Sequence, residues 1–242
     1  MPTLFSGTSG FAYPQWKPAF YPKNVPAKRF LEHYASRLNS VEINYTFRRL
    51  PSASTLTNWT AMTPPGFSFA VKAHERITHF LRLKNAEEFT GAFFQAIQPL
   101  LAAGRLGPVL FQLPPQLRCD LALLGDFLAI LPRTVKVSFE FRHASWLNDD
   151  VYALLEKHGV CLCLAESEKL AIPPGLKALT AGFVYFRLRK PDYSPDDRAA
   201  IAASVRDLLA KDKDVYVFFK HDETPDGALY AEELLRRIGS PA

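Results

Sequence analysis

The sequence predicts an α/β fold, a TIM-type (β/α)8 barrel formed as a single domain over residues 1–242. Three observations carry this. Eight short runs rich in Val, Phe, Tyr, Leu and Ile recur along the chain, and most are separated by stretches with apolar residues at helical spacing. Strand–helix alternation argues for a parallel sheet, and 242 residues match the size of one closed eight-stranded barrel. No linker, charge block or internal repeat divides the chain, and no GxGxxG follows the first run, which argues against an open dinucleotide-binding sheet.

The elements follow in order. TLFSG (3–7) is the first strand, with a weakly bounded helix over 26–38 before SVEIN (40–44). A second weak helix, 52–61, precedes FSFAVKA (67–73). Asn85, three residues ahead of Glu88, reads as a capping pair; Phe89, Phe93, Ile97, Leu100 and Leu101 then follow at helical spacing until Gly104. PVLFQL (108–113), a weak helix over 120–131 and KVSFEF (136–141) come next. Asn148 caps VYALLEKH, which stops at Gly159 and leads into GVCLCLA (159–165). The sixth crossover, 166–180, contains Pro173-Pro174-Gly175 and is expected to be mostly irregular. After FVYFRLR (183–189), Ser194 with Pro195, Asp196 and Asp197 starts a helix to about Lys211. DVYVFFKH (214–221) is the last strand, and Thr224-Pro225-Asp226 opens a helix that ends at Gly239.

Composition bounds the function. With 48% hydrophobic and 22% charged residues the chain is neither disordered nor fibrous. Its 29 Lys+Arg against 24 Asp+Glu leave a net charge of +5, which suits an anionic ligand but is no polybasic footprint. No basic segment followed by an apolar one opens the chain, and no apolar run approaches the roughly 20 residues of a membrane span, so a cytoplasmic protein without a membrane partner is expected. Cys119, Cys161 and Cys163 form no CxxC. The last two lie in an apolar run and read as small buried hydrophobes.

Strands buried on both faces should be apolar throughout, so their polar residues are informative. They cluster near the C-terminal ends. Glu42 and Asn44 share one face of the second run, and Lys72 and His74 one face of the third. Gln112 ends the fourth. Glu140 and Arg142 alternate with Phe139 and Phe141, and Arg187 and Arg189 with Phe186 and Leu188. Lys220 and Asp222 share a face of the eighth, with His221 opposite. The apolar set must face the helices, which turns the polar set toward the lumen and the mouth where such barrels carry their sites. Five cations (Lys72, Arg142, Arg187, Arg189, Lys220) thus converge with three carboxylates (Glu42, Glu140, Asp222).

Six segments also resemble one family. GTSGFAYPQWKPAFYP (7–22), SVEINYTFRRLPS (40–52), FSFAVKAHERITH (67–79), LGPVLFQLPP (106–115), FEFRHASW (139–146) and FVYFRLRKPDYS (183–194) are similar, in order and over nearly the whole chain, to the DUF72 (YecE-like) family. The resemblance implies a one-domain TIM-type barrel and no particular reaction. Where many members carry His-Gly after the seventh strand and Asn-Asn-Asp near the eighth, this chain has Arg189-Lys190 and Lys220-His221-Asp222.

The chemistry follows from the mouth. Glu42, Glu140, Glu166, Asp222, His74 and His221 are the available metal ligands, but cations flank nearly all of them and no HxH, HExxH or paired-Asp spacing occurs; no metal or cofactor is expected. GxSxG is absent as well, and Ser6, Thr8 and Ser9 have no evident base. Glu140, Glu42 and Lys72 are the catalytic candidates, with Glu140 as acid or base beside the anion-clamping Arg142. Asn44, Gln112, Arg187 and Lys220 would complete the binding surface, and Tyr13, Trp16, Tyr45 and Trp146 offer rings for stacking on a base or sugar. The leading expectation is a hydrolase or lyase acting on a phosphorylated or otherwise anionic substrate, with phosphate or carboxylate held by Arg142 and Lys72. One alternative is a nucleic-acid-binding or nucleic-acid-processing barrel, with Arg48, Arg49, Arg76 and Arg82 as a track. The other is a non-catalytic anion-binding module.

Overall fold

All eight apolar runs form strands in the computed structural model, which describes residues 1–166, 179–221 and 223–239. They are β1 (Leu4–Thr8), β2 (Ser40–Ile43), β3 (Ser68–Lys72), β4 (Leu106–Gln112), β5 (Val137–Glu140), β6 (Cys161–Ala165), β7 (Phe183–Leu188) and β8 (Asp214–Phe219). Every pairing is parallel, in the order β1-β8-β7-β6-β5-β4-β3-β2. Among the described residues seven α-helices alternate with them: α1 (Phe30–Ala35), α2 (Ala53–Ala61), α3 (Glu87–Ala102), α4 (Leu121–Ala129), α5 (Asp149–Lys157), α6 (Pro195–Ala210) and α7 (Asp226–Ile238). This is a (β/α)8 TIM-type barrel, nearly closed. The expected irregular sixth crossover falls largely outside the described residues, as does Asp222.

The seam between β1 and β2 is closed by a single backbone bridge, Ser9 to Glu42, and otherwise by side chains. Asn39 stands in for a strand neighbour, accepting from Ser6 N at 2.9 Å and donating to Leu4 O at 2.8 Å. The buried Tyr34 hydroxyl accepts from Thr8 N at 2.8 Å and donates to Ser40 O at 3.0 Å. Gly7 permits this approach, since a Cβ there would lie 1.8 Å from Ser40 O.

Helix boundaries follow local chemistry. Ser194 and Asp197 form a reciprocal capping box on α6; Ser52, Asp120 and Asn148 cap α2, α4 and α5. Two expected caps are corrected. Asn85 adopts a left-handed φ of 48°, and Ala86 takes the cap position of α3 without a side-chain bond. Pro225 rather than Thr224 occupies the cap of α7. At both ends the helix starts one or two residues later than the polar residue that advertised it.

Period-two alternation sorts the core into two shells. Val41, Ile43, Phe69, Val71, Val109, Phe111, Val137, Phe139, Val184, Leu188, Val215 and Val217 pack outward with the helices. Ala70, Leu110, Cys161, Cys163, Phe183, Tyr185, Tyr216 and Phe218 fill the barrel. Cys161 and Cys163 are therefore interior packing groups. Burial pushes the Cys161 thiol up to about 12 and Cys163 well above its ordinary value, which makes both poor nucleophiles.

Candidate functional site

The residues that continue the interior face at the C-terminal strand ends are polar, and they form one connected network. Arg187 on β7, 2% exposed, is its centre. It donates through Nη2 to Glu42 Oε1 at 2.7 Å and through Nη1 to Glu140 Oε2 at 2.5 Å, bridging β2 and β5 across the barrel. Glu42 also accepts from Ser9 Oγ and Tyr185 Oη, each at 2.7 Å. Asn44 Nδ2 lies 3.4 Å from its Oε1. Glu140 accepts from Gln112 Nε2 at 2.8 Å and from Arg189 Nη2 at 2.8 and 3.0 Å. Gln112 then turns its carbonyl to Lys72, whose Nζ donates to Oε1 at 2.9 Å.

This network fixes two charges and leaves others open. Burial alone would raise the Glu140 carboxyl, but Arg187 and Arg189, with hydrogen bonds from Arg187 and Gln112, outweigh it and hold the group at about 2. Glu42 is likewise lowered: burial opposes ionisation, and Arg187, Ser9 and Tyr185 overcome it. Both oxygens of each carboxylate accept at least one of these hydrogen bonds. Glu42 and Glu140, with Arg187 and Arg189, make a neutral quartet.

Three further cations have no comparable partner among the described residues. Lys72 Nζ has no carboxylate oxygen within 4.0 Å among the described residues, and it lies 4.0 Å from the centroid of the Phe47 ring. Burial, then Arg187, lower its pKa; Glu42 and Glu140 oppose this and Lys220 adds to it, with a result of about 8. Arg142 approaches Glu140 only at 3.9 Å through Nε and is 42% exposed. Lys220 follows β8 on the same face and is exposed. Set against Glu42 and Glu140, the cations without a carboxylate at hydrogen-bonding distance among the described residues are Lys72, Arg142 and Lys220.

The comparisons with known proteins agree on a family. The family model described as protein of unknown function DUF72 matches residues 5–242. The chain belongs to the DUF72 family. It is 24% identical over 262 aligned positions to the UPF0759 protein YunF of Bacillus subtilis, covering 91% of this chain and 90% of YunF. It is 33% identical over 132 positions to the UPF0759 protein YecE of Escherichia coli, covering 54% of this chain and 47% of YecE. The crystal structure of a DUF72 family protein from Thermotoga maritima superposes with a TM-score of 0.84 at 26% identity, over 98% of this chain and 100% of that one.

Several expected site residues of the DUF72 barrel stand elsewhere. Trp16 and Trp146 are 0% exposed, so the stacking faces expected of them are not open. Trp16 packs on Phe20 and Tyr21, whereas Trp146 stacks on Phe141 at 4.8 Å and donates to Leu117 O at 2.8 Å. Tyr13 is half-buried and donates to Ser9 O at 2.9 Å; Tyr45, 47% exposed, keeps an open ring. His74 turns toward α3, edge-on to Phe89, and His221 lies between Tyr193 and Tyr230. Glu166 accepts from Arg189 N, Lys190 N and the Tyr193 hydroxyl. Among the described residues no three His, Cys, Asp or Glu side chains are grouped to hold a metal ion, and no helix is long and apolar enough to cross a membrane.

Ser9, Phe47, His79 and Tyr185 were not among the candidates. Tyr185 sits two residues before Arg187 on its face, a signal that period-two reading could have used. Ser9 reaches Glu42 because β1 and β2 meet there. Phe47 ends a 3-10 turn (Tyr45–Phe47) and His79 lies in a π-helical turn (Arg76–Phe80), their rings 5.0 Å apart, where strand periodicity gives no guidance.

Proposed function

We propose that this DUF72 barrel is an enzyme that binds a small phosphorylated or otherwise anionic substrate at the C-terminal mouth and acts on it by acid–base chemistry. The observation that supports it is the division of charge. Glu42 and Glu140 are paired with Arg187 and Arg189, whereas among the described residues Lys72, Arg142 and Lys220 have no carboxylate at hydrogen-bonding distance. A low-dielectric rim bearing unpaired cations concentrates anions. In this reading Arg142 and Lys220 hold the anionic group, the first as a planar fork and the second as a compact charge. Lys72, with a pKa near 8, is the group able to exchange a proton at neutral pH. Glu42 and Glu140 become positioning residues: their pKa values are lowered and both are bonded to Arg187.

The test is a turnover screen of phosphate monoesters, sugar phosphates and small carboxylates, followed by a pH–rate profile of any active compound. A limb near pH 8 that Lys72→Met removes supports the reading. Activity with a flat profile, or turnover unchanged by Lys72→Met, rejects Lys72 as the proton-transfer group. Affinity confined to DNA or RNA, falling steeply with salt, would favour the nucleic-acid alternative instead.

A further inference from the structure

Lys72 is placed as a nucleophile rather than as an ion-pair donor. It is the last residue of β3, so its Cα is fixed by the sheet while its side chain enters the mouth. Its side-chain hydrogen-bond partner among the described residues is neutral, the Gln112 carbonyl oxygen at 2.9 Å. The amide cannot turn to present its NH2 without losing the 2.8 Å bond from Nε2 to Glu140. Phe47 lies under the amine at 4.0 Å, which screens one side from water. Arg187 approaches from β7 and Lys220 from β8, and both disfavour the ammonium form; Glu42 and Glu140, which favour it, spend their charge on Arg187. With its pKa lowered to about 8, Lys72 gives up its proton far more readily near neutral pH than an ordinary lysine. Desolvation and cationic neighbours are the recognised means of activating an amine toward carbonyl carbon.

We infer that Lys72 condenses with the carbonyl group of a small anionic aldehyde, ketone or 2-oxo acid, whose phosphate or carboxylate is held by Arg142 and Lys220. The inference rests on the anion-binding reading of the same mouth and adds the reacting group. The neutral Lys72 nitrogen attacks the carbonyl carbon, forming a C–N bond as the C=O π electrons move to oxygen. The nitrogen loses a proton and the oxygen gains one, giving a carbinolamine. Departure of that oxygen as water, after a second proton transfer, leaves a C=N bond. The overall change is amine plus carbonyl to imine plus water, with no oxidant or reductant. His79 packs against Phe47, ring centroids 5.0 Å apart, and feels the charges of Lys72 and Arg142.

The experiment uses the intact protein with glyoxylate, the smallest anionic aldehyde, and sodium cyanoborohydride, followed by peptide mapping. The reductant converts the imine to a stable secondary amine at the lysine that formed it. Among the 13 lysines, Lys72 is expected to be labelled at least ten times faster than any other. Arg142→Gln should slow that labelling several-fold while leaving labelling by uncharged glycolaldehyde nearly unchanged. Labelling of Lys72 no faster than that of exposed lysines overturns the inference. Phosphate-induced thermal stabilisation, measured on the same samples, separates the two levels. If it persists without Lys72 labelling, the imine fails and the anion site stands; if it is also missing, both fall.

Discussion

Replacing Arg187 with methionine removes the group that, among the described residues, joins Glu42 and Glu140. The guanidinium is 2% exposed and bonds to both carboxylates, which are themselves 0% and 2% exposed. Methionine keeps most of the volume but leaves two buried carboxylates short of a counter-charge. Removing one partner of a buried ion pair costs about 3–5 kcal/mol. Arg189 still serves Glu140 at 2.8 Å, which places the expected loss near 4 kcal/mol rather than twice that range. At 2–4 °C per kcal/mol for a chain of this size, the melting temperature should fall by roughly 8–16 °C. The pH dependence gives a second signature. Glu42, left with Ser9 and Tyr185, should have its pKa raised by burial, and a raised carboxyl pKa adds stability that is present at low pH and lost as pH rises through it. The gap between wild type and variant should therefore be widest near pH 8 and narrow toward pH 5. Urea denaturation followed by tryptophan fluorescence at both pH values measures it, since Trp16 and Trp146 are fully buried. A gap below 1 kcal/mol, or one that widens on acidification, would refute the assignment of Arg187 as the charge that sustains both carboxylates.

The other predictions follow from the same network and from the seam. In wild type, Glu140 is held at about 2 against an ordinary 4.5, so its contribution is present above pH 4.5 and lost as pH falls toward 2; acid titration by circular dichroism should show stability dropping across that window. Gly7→Ala should destabilise the fold by more than about 3 kcal/mol, because its Cβ would meet the Ser40 carbonyl oxygen at 1.8 Å; an equilibrium denaturation midpoint close to wild type would contradict the seam. Ser194→Ala breaks the α6 capping box and should cost about 1 kcal/mol in the same measurement. Lys72→Met should leave stability within about 1 kcal/mol, since only the Gln112 bond and the contact with Phe47 are lost; a larger drop would mean that Lys72 is a structural ion.

The strands were legible because a parallel sheet covered on both sides writes itself as apolar runs, and every run from TLFSG to DVYVFFKH became one. Polar interruptions were legible for the same reason: Glu42, Gln112, Glu140 and Arg187 break the pattern where the interior face reaches the mouth. Their partners were not. Whether Glu140 faces Arg142 on its own strand or Arg187 across the barrel depends on the three-dimensional span between β5 and β7, which no spacing along the chain encodes. Arg142, next to Glu140 in the alternation, stays 3.9 Å away and exposed, while Arg187 takes the buried position. The indoles misled for a related reason: Trp16 and Trp146 end short 3-10 turns that follow β1 and β5, and a large ring there can pack inward as readily as face a ligand. Asn85 and Thr224 show the limit at helix starts, where a capping residue one position too early leaves the same sequence signature.

The most direct test of the unpaired mouth is thermal melting with phosphate at fixed ionic strength, in wild type and in Arg142→Ala. Phosphate binding only to the folded state stabilises it by about 2.7 kcal/mol at 100 times its dissociation constant, or roughly 5–11 °C here. The wild type should show a saturable rise of that size, and Arg142→Ala should lose most of it. Equal responses in the two proteins, or none in either, would contradict an anion site built on Arg142.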